Sequence, residues 1–243
     1  LDPKSSFTVL VMLSLHSCLL SLGTSHRYRS LVEKLSNHYT IQDFKKSMRY
    51  LDLACVILPS IGEAHLQKGL IYVQTENLGT AVYEFTRSAL ARIPSSAGQA
   101  NFANIISEQD SKLRKKFNLL LKDVVAQDLG QTRIVNREII EFYFLAVFGS
   151  HFEPRSWLNP AKKQELQSGI RLEYLKSTLS DKMSTRYIKN IDIIFEDLII
   201  VIGGFDLLLY DSDKRNKAFD IKTISLKVLK EKDLNYLQFA FRF

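Results

Sequence analysis

Apolar positions along this chain recur at helical spacing, with no sustained strand-like alternation. The run from Phe7 to Leu22 (FTVLVMLSLHSCLLSL) continues past Gly23 through His26-Arg27-Tyr28-Arg29. It predicts one long core helix ending near Ser36, capped by Ser5 or Ser6. At 16 residues, interrupted by His16 and three serines, the run is short and polar for a membrane span. The chain opens at Leu1 rather than Met, so we read it as a fragment and assign no targeting role. A second helix is expected from Thr40, with Asp43 in its first turn, to just before Pro59. A third runs over 61–75, Asn77 to Gly79 form a turn, and a fourth spans 80–92 before Pro94.

Helix, short turn, helix and then proline match the 34-residue tetratricopeptide pattern. Gly69 and Tyr72 stand three apart, and Ala81, Phe85 and Ser88 follow 12, 16 and 19 residues after the glycine. Gly69 and Ala81 are expected to face each other across the two helices, with Tyr72 and Phe85 buried beside them. An earlier copy reads Leu22-Gly23, then Ser47, Leu51, Ala54 and Pro59, with 24 residues from glycine to serine instead of 12. Its hairpin is either lengthened or carries a loop at Ser36 to Tyr39.

Beyond Ser111 the repeat fades while helical spacing persists. Ser111 to Gln127 is amphipathic, residues 134–148 are apolar and aromatic-rich, and His151 to Pro160 is a loop holding the single Trp157. Leu198 to Tyr210 is β-branched but has no partner strand, so it is read as helix, broken or bent at Gly203-Gly204. Asp211 to Lys217 is a charged loop, and a final helix runs from Ile224 into Phe243. The fold class is all-α: helical hairpins over residues 1–110, continuing into a basic helical-hairpin domain over 111–243.

Composition sharpens this picture. Ten Gly and five Pro in 243 residues are too few for a turn-rich β fold. The net charge is +7, divided as +1 over residues 1–110 and +6 over 111–243. Such a bias suits a polyanion. Cys18 and Cys55 lie in apolar runs without metal-ligand spacing and read as buried thiols of a reducing compartment. No phosphate-cradling glycine loop, zinc-ligand pair or nucleophile elbow occurs, and His16, His26, His38, His65 and His151 are scattered. Glu196-Asp197 and Asp211-x-Asp213 fit solvated positions. A binding protein without cofactor or metal is expected.

The candidate nucleic-acid contacts are cationic clusters: Lys112, Arg114, Lys115 and Lys116; Arg133 and Arg137 on one helix face; Lys162 and Lys163; and Lys214, Arg215 and Lys217. Each alone also fits an ordinary solvated face. Arg27 and Arg29 are candidates to clamp an anion or peptide in a groove, although Glu33 stands four residues from Arg29. Phe148 and Trp157 are candidate floor residues for an acidic, hydrophobic peptide, or else close the core between two hairpins.

The strings Leu22-Gly23-x-x-His26-x-Tyr28, Arg49-Tyr50-Leu51-x-x-Ala54, Leu58-Pro59 and Ala89-Leu90-x-Arg92-Ile93-Pro94-Ser95 resemble one family. It is the "ever shorter telomeres" family of budding-yeast telomerase regulatory subunits, with the SMG adaptors of nonsense-mediated mRNA decay behind it. Weaker likeness continues through Pro154-x-Ser156-Trp157 and Gly204-Phe205-Asp206-Leu207. The resemblance implies a 14-3-3-like arrangement of tetratricopeptide hairpins followed by a helical-hairpin domain. It implies a nuclear protein at telomeres, with telomerase RNA, the single-strand telomere-capping protein, other telomerase subunits and single-stranded telomeric DNA as partners, and no membrane. It also implies that an SMG-type phosphopeptide pocket would use an arginine of the Arg27-Tyr28-Arg29 stretch. The expected function is a non-catalytic telomerase adaptor; the alternatives are a phosphopeptide adaptor in mRNA decay and a generic peptide-binding module.

Overall fold

The computed structural model describes residues 5–34, 38–108, 111–115, 137–152, 191–213 and 231–242. All the elements it shows there are helical, and the sole β feature among these residues is a bridge between Ile61 and Ile93. The chain is all-α. It divides into two compact units, Leu1–Phe102 and Ala103–Phe243.

In the first unit α1 (Ser6–Glu33) begins where Ser5 Oγ accepts from the Thr8 amide at 3.1 Å. The helix rests on a stripe at i, i+4, i+7, i+11 and i+15: His16, Leu20, Gly23, Arg27 and Leu31. That stripe is less apolar than its surroundings. Phe7, Val9, Leu10, Val11, Leu13 and Leu15 are all exposed, Phe7 to 64% and Leu10 to 62%. The expected core helix is therefore corrected: the apolar run belongs to a largely exposed helix. Cys18 is exposed, which corrects the buried thiol expected there, and Cys55 is half-buried. At 28 residues α1 is also no short run; by length and composition alone it is long and apolar enough to cross a membrane.

A 3₁₀ turn (Ile41–Phe44) leads into α2 (Lys45–Ile57). Asp43 Oδ2 accepts from the Thr40 amide at 2.7 Å and from Lys34 Nζ at 2.6 Å, fastening the start of this turn to the end of α1. These two bonds, the Lys34 one foremost, hold the Asp43 carboxyl down at about 2. α1 and α2 close on each other at Gly23, where a Cβ would stand 2.7 Å from the Leu51 side chain. Ser47 Oγ donates to the Gly23 carbonyl at 2.6 Å, and His26 stacks on Tyr50.

α3 (Glu63–Gln74) and α4 (Leu78–Leu90) repeat this arrangement. Gly69 takes the place of Gly23, and a Cβ there would collide with the Phe85 ring. Gly69, Ala81 and Phe85 thus correspond to Gly23, Ser47 and Leu51. The glycine meets Phe85, and Tyr72 is half-buried rather than buried as expected. The additional residues of the first hairpin are shared: α1 runs ten residues past its glycine, α3 five past its own, and the connection is longer. Between hairpins, Gly62 N donates to Ile93 O and Ile93 N to Ser60 O, both at 2.9 Å, tying together the loops after Pro59 and before Pro94. α5 (Ser96–Ile106) follows.

The second unit contains α6 (Arg137–Phe152), α7 (Ile191–Asp213) and α8 (Glu231–Arg242). Its core joins Phe144, Phe148, Ile200 and Val201 to the fully buried Tyr236, whose hydroxyl donates to Val201 O at 2.6 Å. α7 runs unbroken through Gly203-Gly204, which corrects the expected break. The glycine is there for proximity: a Cβ on Gly204 would lie 2.5 Å from the Tyr236 hydroxyl and 2.9 Å from the Phe148 ring. Two further boundaries move. His151 and Phe152 close α6 rather than open a loop, and Asp211 to Asp213 close α7 rather than begin one.

Candidate functional site

Ser111 starts a helical turn over 112–115, its Oγ accepting from the Arg114 amide at 3.2 Å. The turn buries Leu113 completely and leaves Lys112 and Lys115 exposed. Arg114 is 8% exposed, and burial lowers its pKa. Arg114 is thus corrected as an exposed contact, because it turns inward with Leu113, while Lys112 and Lys115 stay accessible. Lys116 lies outside the described residues, as do Arg133, Lys162, Lys163, Lys214, Arg215, Lys217 and Trp157. Arg137 opens α6. Phe148 is fully buried against Phe144, Phe152 and Tyr236, so it belongs to the core and is corrected as a groove floor.

Arg27 and Arg29 diverge and form no common clamp. Arg29 is exposed and pairs with Glu33 at 2.6 Å, a surface contact of little energetic weight. Arg27 is 6% exposed, its Nε donating to Gln67 Oε1 at 3.2 Å while its guanidinium lies 4.4 Å from the Tyr28 ring centre. Gln67 in turn donates to Glu63 at 3.1 Å. A buried guanidinium held by a neutral amide is suited to a visiting anion, since no carboxylate forms an ion pair with it among the described residues.

The chemistry the sequence did not reveal lies between α2, α3 and α4. Glu84 is 2% exposed; its Oε2 is 2.6 Å from His65 Nδ1 and its Oε1 is 2.7 Å from Lys68 Nζ. Lys68 also reaches Asp52 at 3.1 Å. Burial alone would raise the Glu84 pKa, but the His65 hydrogen bond and the Lys68 charge outweigh it and hold the carboxyl below its ordinary value. The ionised carboxylate only accepts, so His65 Nδ1 carries the proton. Cys55 Sγ, 3.9 Å away, meets that same nitrogen. A nucleophilic triad needs the imidazole to face acid and thiol with different nitrogens. Burial moreover pushes the Cys55 thiol up to about 11. The group is therefore structural. A signal for it existed: Glu84 stands among Ala81, Val82 and Phe85 on the buried face of α4, where a carboxylate requires a partner.

Residues 47–243 match the family described as the Est1 DNA/RNA binding domain, and residues 1–33 match the one described as telomerase activating protein Est1. The chain belongs to the Est1 family. Its relatives include the nonsense-mediated mRNA decay factor EBS1 of Saccharomyces cerevisiae, 41% identical over all of this chain and 27% of the relative. Protein EBS1 of Eremothecium gossypii is 42% identical over 91% of this chain and 27% of its own length. Telomere elongation protein EST1 of Saccharomyces cerevisiae is 28% identical over all of this chain and 34% of the relative. A crystal structure of Est1 and Cdc13 superposes on the whole chain with a TM-score of 0.79, at 38% identity over 44% of that chain. This Est1-family chain spans about a quarter to a third of the curated relatives it matches. Its identity to the two EBS1 proteins exceeds that to EST1.

Proposed function

We propose that this chain is the RNA-binding, non-catalytic adaptor segment of an Est1-family protein acting in mRNA decay. The observation that carries this reading is the family match across residues 47–243, together with the higher identity to the mRNA decay relative. The accessible lysines Lys112 and Lys115 begin the phosphate path, and Arg27 is the anion contact of an SMG-type peptide pocket. The cationic excess is not confined to one unit. Divided at the structural boundary, residues 1–102 hold 10 Lys+Arg against 7 Asp+Glu, and residues 103–243 hold 23 against 19. Glu108 and Asp110 account for the change from the uneven division read in the sequence.

A second reading, recruitment of telomerase at chromosome ends in the nucleus through telomerase RNA and a telomere-capping protein, is favoured by the Est1 and Cdc13 neighbour and the EST1 relative. Fluorescence anisotropy with single-stranded RNA tests nucleic-acid binding. Affinity should fall steeply with salt, and changing Lys112, Lys115 and Lys116 to Glu should weaken binding and reduce the salt slope by roughly one for each phosphate no longer neutralised. Unchanged affinity and slope would return these lysines to an ordinary solvated face. Sequencing RNA co-purified from cells separates the settings: enrichment of decaying transcripts supports the first, enrichment of telomerase RNA the second.

A further inference from the structure

An exposed face of α2 and of the turn before it carries an open groove of about 590 Å³. Its apolar lining is Ile41, Met48, Leu53 and Val56, with Val56 76% exposed, Leu53 43% and Ile41 40%. Lys45 and Arg49 also line it, one helical turn apart, and Lys46 stands beside them on the helix. All three cations are exposed, and none makes an ion pair or side-chain hydrogen bond among the described residues. The acid of the groove, Asp52, is engaged by Lys68. The face therefore combines an uncovered apolar stripe with uncompensated positive charge.

We propose that this groove docks an acidic amphipathic helix of a partner protein. Its apolar positions pack on Ile41, Leu53 and Val56, and its carboxylates meet Lys45 and Arg49. Positions 41 to 56 follow helical spacing over about 22 Å, the length of a four-turn peptide helix. A phosphodiester backbone would satisfy the cations and leave the apolar stripe in water. The inference rests on the first unit's geometry and stands apart from the nucleic-acid reading.

The probe is a fluorescein-labelled helical peptide of about 16 residues, with leucines on one face and glutamates flanking them, titrated by anisotropy into the full 243-residue chain. Saturable, salt-sensitive binding is expected. It should weaken about tenfold or more in Lys45→Glu/Arg49→Glu and in Leu53→Asp/Val56→Asp, while exposed positions leave the melting temperature unchanged. Should a charge reversal disturb folding, Lys45→Gln/Arg49→Gln and Leu53→Ser/Val56→Ser give the same reading with smaller effects. Three results would overturn the proposal: no binding, equal binding of a permuted or lysine-substituted peptide, or indifference to both variants. So would loss of RNA or anionic-vesicle binding in Lys45→Glu/Arg49→Glu with peptide affinity intact.

Discussion

Glu84 is an acid on the buried face of a helix, and two cationic or proton-donating side chains make that tolerable. Its folded pKa lies below the ordinary 4.5, so its stabilising contribution is complete above that value and is lost as pH falls through the folded pKa. Asp43 behaves alike between its ordinary 3.8 and about 2. Lys68 has the opposite sign: the pull of Glu84 outweighs burial and raises its pKa, so its contribution is present below 10.5 and disappears at higher pH. Glu84→Ala leaves Lys68 with only the exposed Asp52 and should cost roughly 3–5 kcal/mol. Urea unfolding at several pH values should show this loss at pH 7 and a shallower decline in acid than the parent. Equal acid sensitivity in variant and parent would assign the decline to other carboxylates.

At the scale of elements, the hairpin spacing was legible because it expresses a steric requirement. Gly23 and Gly69 each admit a side chain from the following helix, so small residues recur at matching places even where the connection lengthens. Gly203-Gly204 misled for the same reason. Glycine weakens an isolated helix, but Gly204 is where Tyr236 and Phe148 come close to α7. The sequence around it cannot show a contact made with residues 56 and 32 positions away. Propensity alone favours Gly204→Ala by about 1 kcal/mol, whereas overpacking costs roughly 1–3 kcal/mol. We expect net destabilisation in thermal melts, with a smaller loss in a Tyr236→Phe background because the nearest atom is gone. A higher melting temperature for Gly204→Ala would reinstate the glycine as a weak point of the helix.

At the scale of the whole 243-residue chain, the exposed apolar side chains of α1 predict its association in solution. Phe7, Leu10 and Val11 form part of a patch of the kind that promotes association. Light scattering should show concentration-dependent association that Phe7→Glu/Leu10→Glu reduces, while stability stays within about 0.5 kcal/mol because neither side chain is in the core. Persistent association in that variant would place the contact elsewhere. The sequence indicated an all-α chain and its basic character, which depend on local spacing and composition. It did not indicate which stripe of α1 is covered, nor that Arg114 turns inward beside Leu113. The covered stripe of α1 depends on neighbours distant in the chain, Leu51 and Gln67 among them.

His16 and Arg27 in the covered stripe of α1 have a further effect. Apolar side chains surround the N-terminal half of this helix, so burial alone would hold it almost equally well after rotation about its own axis. An arginine that must find Gln67, a glycine that must admit Leu51 and a carbonyl that must accept from Ser47 are satisfied together at one angle only. The polar and small residues thus act as a key that sets rotational phase, as a single buried asparagine sets register in a coiled coil. A smoother, more apolar stripe would grip harder and leave α1 free to settle in several orientations, each presenting a different surface to whatever binds there.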